Sequence, residues 1–230
     1  MPLWSSIMIK AYGSVRLADI EAARPGEWDF SGATHARVQL PSEPDHELEM
    51  QRRGFVFADR TLKASISLGR CKVEKVELEK LIRLPIVETP AYREDIFRIA
   101  CSSFTADRRF HILPACDADI ASLVLREWVD ALGSVLVCLF RETPAGFLAL
   151  RECGDALFVH LAAVEEKFRM SGAGMALYAK ACKEAGARGF RRLEGRISSR
   201  NTAVMNMYAA FGAVFTEPCD VFLKEVGHDA

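Results

Sequence analysis

Residues 155–186 read DALFVHLAAVEEKFRMSGAGMALYAKACKEAG, and the stretch falls into three parts. An apolar run from Ala156 to Val164 predicts a strand, which a charged turn, Glu165 to Phe168, brings to an end. From Gly172 onward Leu177, Ala181 and Ala185 recur at helical spacing, and Gly186 reads as the stop. Between strand and helix lies Arg169-Met170-Ser171-Gly172-Ala173-Gly174. The first turn of a helix has unpaired N–H groups and a partial positive charge, and glycines let an anion approach the backbone. Arg169 adds a formal charge at the rim. Taken alone, this pattern fits a tight strand-to-helix connection as well as a phosphate cradle.

Working outward, composition sets the limits. The chain has 230 residues, half of them hydrophobic and 27% charged, which suffices for an ordinary packed core. A net charge of −1 gives no reason to expect a nucleic-acid or membrane partner. Seven cysteines without CxxC or CxxH spacing make neither a disulfide framework nor a zinc site, so no metal is expected. Cys101, Cys138, Cys153 and Cys182 lie in apolar or periodic segments and read as buried thiols, which points to a reducing, cytoplasmic setting. The start, MPLWSSIMIKAYG, does not read as a signal peptide, and no run approaches a membrane span.

Upstream, residues 1–33 show no clear period. His35 to Leu40 alternates as a strand, Ser42 reads as the N-cap of a helix ending at Gly54, and Phe55 to Leu68 reads as a long strand or strand pair. A charged stretch over 69–80 separates this β-α-β unit (1–80) from the rest (81–230). The pattern then restarts. Ile82 to Val87 reads as a strand, followed by a helix from Ala91 to Phe104, a cationic loop containing Arg108, Arg109 and His111, and a helix from Ala118 to Leu132. Val135–Phe140 and Gly146–Arg151 read as a hairpin joined across Thr143-Pro144-Ala145. After the central strand and helix come a strand at Leu193–Ile197, a helix from Thr202 to Phe211, and strands near Ala213–Phe215 and Val221–Val226.

The second informative stretch is Ser199 to Ala213, SRNTAVMNMYAAFGA. Asn201 reads as an N-cap, Gly212 as a stop, and Tyr208 emerges about two turns beyond Asn201. Alone, this is a capped helix with a partly buried tyrosine. Combined with the Arg-x-x-Gly-x-Gly pattern upstream, it resembles the GNAT superfamily of N-acetyltransferases over about residues 81–226. The pyrophosphate pattern matches Arg169, Gly172 and Gly174, and the second signature matches Asn201, Asn206, Tyr208 and Phe211-Gly212. Glu166 stands where many members carry proline. The front segment and the stretch Phe104 to Trp128 also look like the dTDP-fucosamine acetyltransferases.

The resemblance implies an α/β (α+β) fold with a mixed, mostly antiparallel sheet splayed at the central strand, behind a small β-α-β N-terminal domain. It implies an acetyl-CoA-dependent N-acetyltransferase acting on a small-molecule amine, with the 4-amine of a sugar-nucleotide amino-dideoxyhexose as the acceptor. It allows a homodimer. Cofactor contacts are expected from Leu161, Ala162, Ala163 and Val164 on the strand, and from Arg169, Met170, Ser171, Gly172, Ala173, Gly174 and Met175 at the turn. Asn201 and Asn206 complete that set. Tyr208 is the expected general acid, since a phenol with a pKa near ~10 stays protonated at neutral pH. His160 is a candidate base, with a proton-draining water chain as the alternative. Phe104, Arg108, Arg109 and His111 are the acceptor candidates, because arginine suits bidentate phosphate contacts. The competing functions are another small-molecule or protein amine acetyltransferase and a non-catalytic acyl-CoA-binding module. The last would need no proton donor at Tyr208.

Overall fold

The computed structural model describes residues 7–71, 84–88, 90–104 and 118–226. Within them the strands are β1 (Met8–Tyr12), β2 (Val15–Glu21), β3 (His35–Pro41), β4 (Val56–Ser67), β5 (Ile86–Glu88), β6 (Ser134–Phe140), β7 (Thr143–Cys153), β8 (Ala156–Val164), β9 (Arg192–Ser198) and β10 (Val214–Glu225). They form one sheet in the order β1-β2-β3-β10-β4-β9-β8-β7-β6-β5. β2/β3 and β8/β9 run parallel, and the other neighbours are antiparallel. The helices are α1 (Pro44–Arg52), α2 (Arg93–Ser103), α3 (Ala118–Asp130), α4 (Ala173–Ala187) and α5 (Thr202–Ala210).

The apolar runs of β6, β7 and β8 follow from burial on both faces, where no polar alternation is needed. Leu136, Leu148, Leu157 and Leu193 pack with Leu177, Ala181 and Ala185 of α4 and with Phe211 at the end of α5. Val135, Val137, Phe147 and Leu161, on the opposite face, pack with Ile96 and Ile99 of α2 and with Leu125 and Val129 of α3. α1 buries Met50 against Val38, Leu40 and Phe222. The boundary drawn near residue 80 does not coincide with a break in the sheet. β4 pairs with β9 along one edge and β10 along the other.

Several local features differ from the sequence pattern. Residues 8–21, without a clear period, form the β1–β2 hairpin around Gly13 at φ +57°. Glu43, not Ser42, is the N-cap of α1, because Pro44 occupies the first helical turn, where its missing N–H is harmless. The β6–β7 turn is Arg141-Glu142, both at positive φ, and Thr143 to Ala145 already belong to β7. A two-residue hairpin turn of that geometry favours Gly or Asn, so arginine and glutamate hide it. Helix α4 runs through Gly186 and stops at Gly189, whose φ is +80°. There the Gly189 N–H donates to the Gly186 carbonyl and the Phe190 N–H to that of Ala185, which closes the helix end. The two predicted terminal strands are one strand, β10, with its register shifted across Glu217-Pro218. Pro218 has no N–H for a ladder and sits where the ladder is interrupted. Among the cysteines named above, Cys138 and Cys182 are buried, Cys101 is half-buried and Cys153 is exposed. Cys153 ends β7 beside the Gly154 turn.

Candidate active site

The site is set by where β8 and β9 part. They pair in parallel from Ala156↔Arg192 to Val159↔Gly195, while β8 continues to Val164 and β9 to Ser198. At the same level β8 carries a bulge. Leu150 pairs with Val159 and Ala149 with Leu161, so His160 is the extra residue. Beyond the fork, Leu161, Ala162, Ala163 and Val164 remain paired to β7, and their edge toward β9 is open. That edge offers backbone donors and acceptors to an extended ligand.

Tyr208 reaches the fork from α5. A Cβ on Gly195 would come 2.2 Å from its hydroxyl and 3.5 Å from Val159 Cβ, so the phenol lies against the last paired residues. The ring is fully buried, edge to face with Tyr178 of α4 at 4.9 Å between centroids. Among the described residues no group meets hydrogen-bond distance and angle to the Tyr208 hydroxyl, and the Tyr178 side chain is its polar neighbour. Burial pushes its pKa well above the ordinary phenol value, with the neighbouring Tyr178 adding to the rise. The proton is therefore firmly held. An isolated glycine inside a strand is a signal of close backbone approach, and Gly195 is the site residue that the sequence reading passed over.

His160 is exposed. Its pKa is lowered, first by partial desolvation of the ring and then by the charge of Arg151, so it is neutral near pH 7 and able to accept a proton. Arg151 itself lies over the ring of Phe158.

At the end of β8 a 3-10 turn over Glu166–Ser171 carries Arg169 and Met170 outward, and Met170 is 98% exposed. Gly172 follows at φ +86° as the N-cap of α4, with no atom within 4 Å of the place a Cβ would take. The first helical hydrogen bond runs from Ala176 N–H to the Gly172 carbonyl. Ser171 Oγ accepts from Ala173 N–H at 3.3 Å, which leaves the N–H groups of Gly174 and Met175 as first-turn donors. Gly174 faces inward, where a Cβ would stand 3.4 Å from Met207 Sδ and 3.8 Å from Val164 Cγ2. Open space, free donors and an adjacent arginine suit a pyrophosphate. Asn201 caps α5 through Oδ1, which accepts from Val204 N–H at 3.2 Å, and both Asn201 and Asn206 are exposed. Phe104 closes α2 and is half-buried, packed against the core beneath that helix. Arg108, Arg109 and His111 lie outside the described residues.

Comparisons agree with this fold. The fold is similar to that of a functionally unknown conserved protein from Staphylococcus epidermidis, at 14% identity and a TM-score of 0.66, covering 98% of this chain and 96% of that one. It is similar to GCN5-related N-acetyltransferases from Sphaerobacter thermophilus (14% identity, TM-score 0.59, 98% of this chain and 78% of that one) and Kribbella flavida (14%, 0.58, 97% and 91%). No curated protein matches the sequence. The model of the acetyltransferase (GNAT) family matches residues 94–213, which include the fork, the turn before α4 and Tyr208. The chain belongs to the GNAT acetyltransferase family, whose members use acetyl-CoA.

Proposed function

We propose that the protein transfers the acetyl group of acetyl-CoA to a primary amine at the β8–β9 fork. The observation that carries this is the Tyr208 hydroxyl, buried against Gly195 with its proton held. Acyl transfer needs a neutral amine at the thioester carbonyl, donors for the oxygen that becomes negative, and a proton for the departing sulfur. The first turn of α4 with Arg169 holds the pyrophosphate, and the open edge of Leu161 to Val164 holds the pantetheine arm and supplies an N–H to the carbonyl oxygen. Tyr208 protonates the sulfur as the C–S bond breaks. His160, neutral at the bulge, takes the proton that the amine loses as the C–N bond forms. A non-catalytic acyl-CoA module would have no use for a buried donor at that point.

For the acceptor, the resemblance to dTDP-fucosamine acetyltransferases suggests the 4-amine of a nucleotide-linked amino-dideoxyhexose, with Arg108, Arg109 and His111 as its phosphate contacts. Thiol release from acetyl-CoA across amino-sugar nucleotides and simple amines tests both levels. Release with some amine supports the reaction, and failure of every nucleotide-linked amine removes the narrower acceptor. Gly172→Glu places a carboxylate at the anion site, so calorimetry should show acetyl-CoA binding abolished in a folded variant. Unchanged affinity would remove the phosphate role.

A further inference from the structure

Two thiols distant in sequence meet where β4 ends. The strand stops at Ser67, and a 3-10 turn over Leu68–Arg70 carries the chain to Cys71. Ser67 pairs with Arg192 of β9, and the Leu68 N–H donates to the Arg191 carbonyl at 3.0 Å, just beyond α4. So anchored, the turn packs against α4, and the Cys71 N–H closes it by donating to the Leu68 carbonyl at 3.4 Å. Tyr178, Cys182 and Ala185 recur four and three residues apart on the buried face of that helix. Cys71 packs against the cluster to which all three belong.

The two cysteines differ in access. Cys182 is 5% exposed, whereas Cys71 is half-buried at the rim. The Cys182 S–H donates to the Cys71 sulfur, and this bond, together with burial, pushes the Cys182 pKa far above the ordinary thiol value. A buried cysteine that only fills space behaves as a small hydrophobe and needs no second thiol beside it. Sulfurs in hydrogen-bond contact are within a side-chain rotation of a covalent bond, because disulfide Cβ atoms stand about 3.5–4.5 Å apart. The solvent side of the pair opens at Cys71, and Cys182 is reached through it.

We propose that Cys71 and Cys182 form an oxidation site that takes a small disulfide of the glutathione class and becomes an intramolecular disulfide between the front segment and α4. The inference stands apart from the acetyl-transfer reading. The Cys71 thiolate attacks the small disulfide, forming a mixed disulfide and releasing one small thiol. The Cys182 sulfur gives up its proton and attacks the Cys71 sulfur, which releases the second small thiol. Two electrons pass from the cysteine pair to the small disulfide, and the two cysteine protons leave on the released thiols. The firmly held Cys182 proton makes the second step the slow one, and it quickens as pH rises. The new bond closes a loop of about 100 residues and so removes much of the freedom of the unfolded chain. It lies about 12 Å along α4 from Gly174, clear of the first turn.

The test incubates the folded full chain with oxidised glutathione, blocks remaining thiols with iodoacetamide and maps peptides by mass spectrometry. A peptide pair joined through Cys71 and Cys182, lighter by two hydrogens, should accumulate. Tm should rise by about 5–15 °C and fall back on adding dithiothreitol. Cys71→Ser, at a half-buried position that tolerates the change, should abolish both the joined pair and the shift. Cys153→Ser, which removes an exposed thiol elsewhere, should leave both intact. Arrest at a glutathione adduct on Cys71, or a bond from either cysteine to a different one, overturns the proposal. So does a bond that forms only in urea, or one that forms without raising Tm.

Discussion

Gly195→Ala is the sharpest probe of the fork. The added methyl would stand 2.2 Å from the Tyr208 hydroxyl and 3.3 Å from its Cζ, with Val159 Cβ at 3.5 Å on the other side. Real Cβ contacts do not reach 2.2 Å, and Tyr208 is fully buried between α4 and the sheet, so the ring has little room to retreat. Overpacking of this kind costs about 1–3 kcal/mol. At this chain length each kcal/mol lowers Tm by about 2–4 °C. Tyr208→Phe removes the clashing oxygen and leaves the 3.3 Å contact, which a small shift can absorb. Thermal or urea unfolding of the two single variants and the double should therefore show a favourable coupling of about 0.5–3 kcal/mol. The activity cycle should look different. Gly195→Ala loses turnover because the proton donor is displaced, and the double variant regains stability without regaining turnover. A methyl group in a strand with free space around it would stabilise by about 0.4–1 kcal/mol through the unfolded chain. If Gly195→Ala is as stable as the wild type or more so, the hydroxyl is not at the fork and the catalytic reading of Tyr208 falls with it.

Tyr208→Phe alone should lower kcat about 10²–10⁴-fold with acetyl-CoA affinity nearly unchanged, and stability should hold or rise because a buried hydroxyl is removed. A drop in stability with normal turnover would assign Tyr208 to packing. His160→Gln should abolish the rising acid limb of kcat/KM, which in the wild type lies below the ordinary histidine value because the folded pKa is lowered. A limb that persists in the variant hands the base role to solvent. His35 is 3% exposed, with Nε2 unpartnered and its pKa lowered by burial. Its contribution to stability is complete above the unfolded value near ~6.5 and is lost as pH falls through the lowered folded value. Urea titrations of the wild type should lose stability over that acid range, and His35→Gln should flatten the loss. Equal slopes for the two would exclude His35 as its source.

The central strand, the Arg169–Gly174 turn and α5 were legible because each rests on local chemistry. An apolar run buried on both faces, an uncapped glycine-containing first turn and an Asn cap need no distant partner to be recognised. Gly189 was misread as Gly186 because both glycines lie near the end of the periodic pattern, and only the φ at Gly189 decides between them. The bulge at His160 left no mark, since an extra residue in an apolar run changes register without changing composition. The neighbourhood of β2, β3, β10, β4 and β9 was invisible for a different reason, since strand neighbours are fixed by pairing across the whole chain rather than by any local pattern.

The position of β4 bears on how the chain acquires its shape. Ser198 bonds to Asp59 across 139 residues of sequence, and Thr61 to the Cys219 carbonyl across 158. A ribosome delivers β4 early and both of its neighbours last, so the strand must stay unpaired through most of synthesis. Contacts of such separation slow folding, and two exposed strand edges invite pairing with other chains meanwhile. Removing residues 1–71 would leave β9 and β10 facing an empty slot, so a C-terminal fragment made alone should aggregate. Supplied with the front segment as a separate peptide, the same fragment should recover solubility, in the manner of a protein assembled from two pieces.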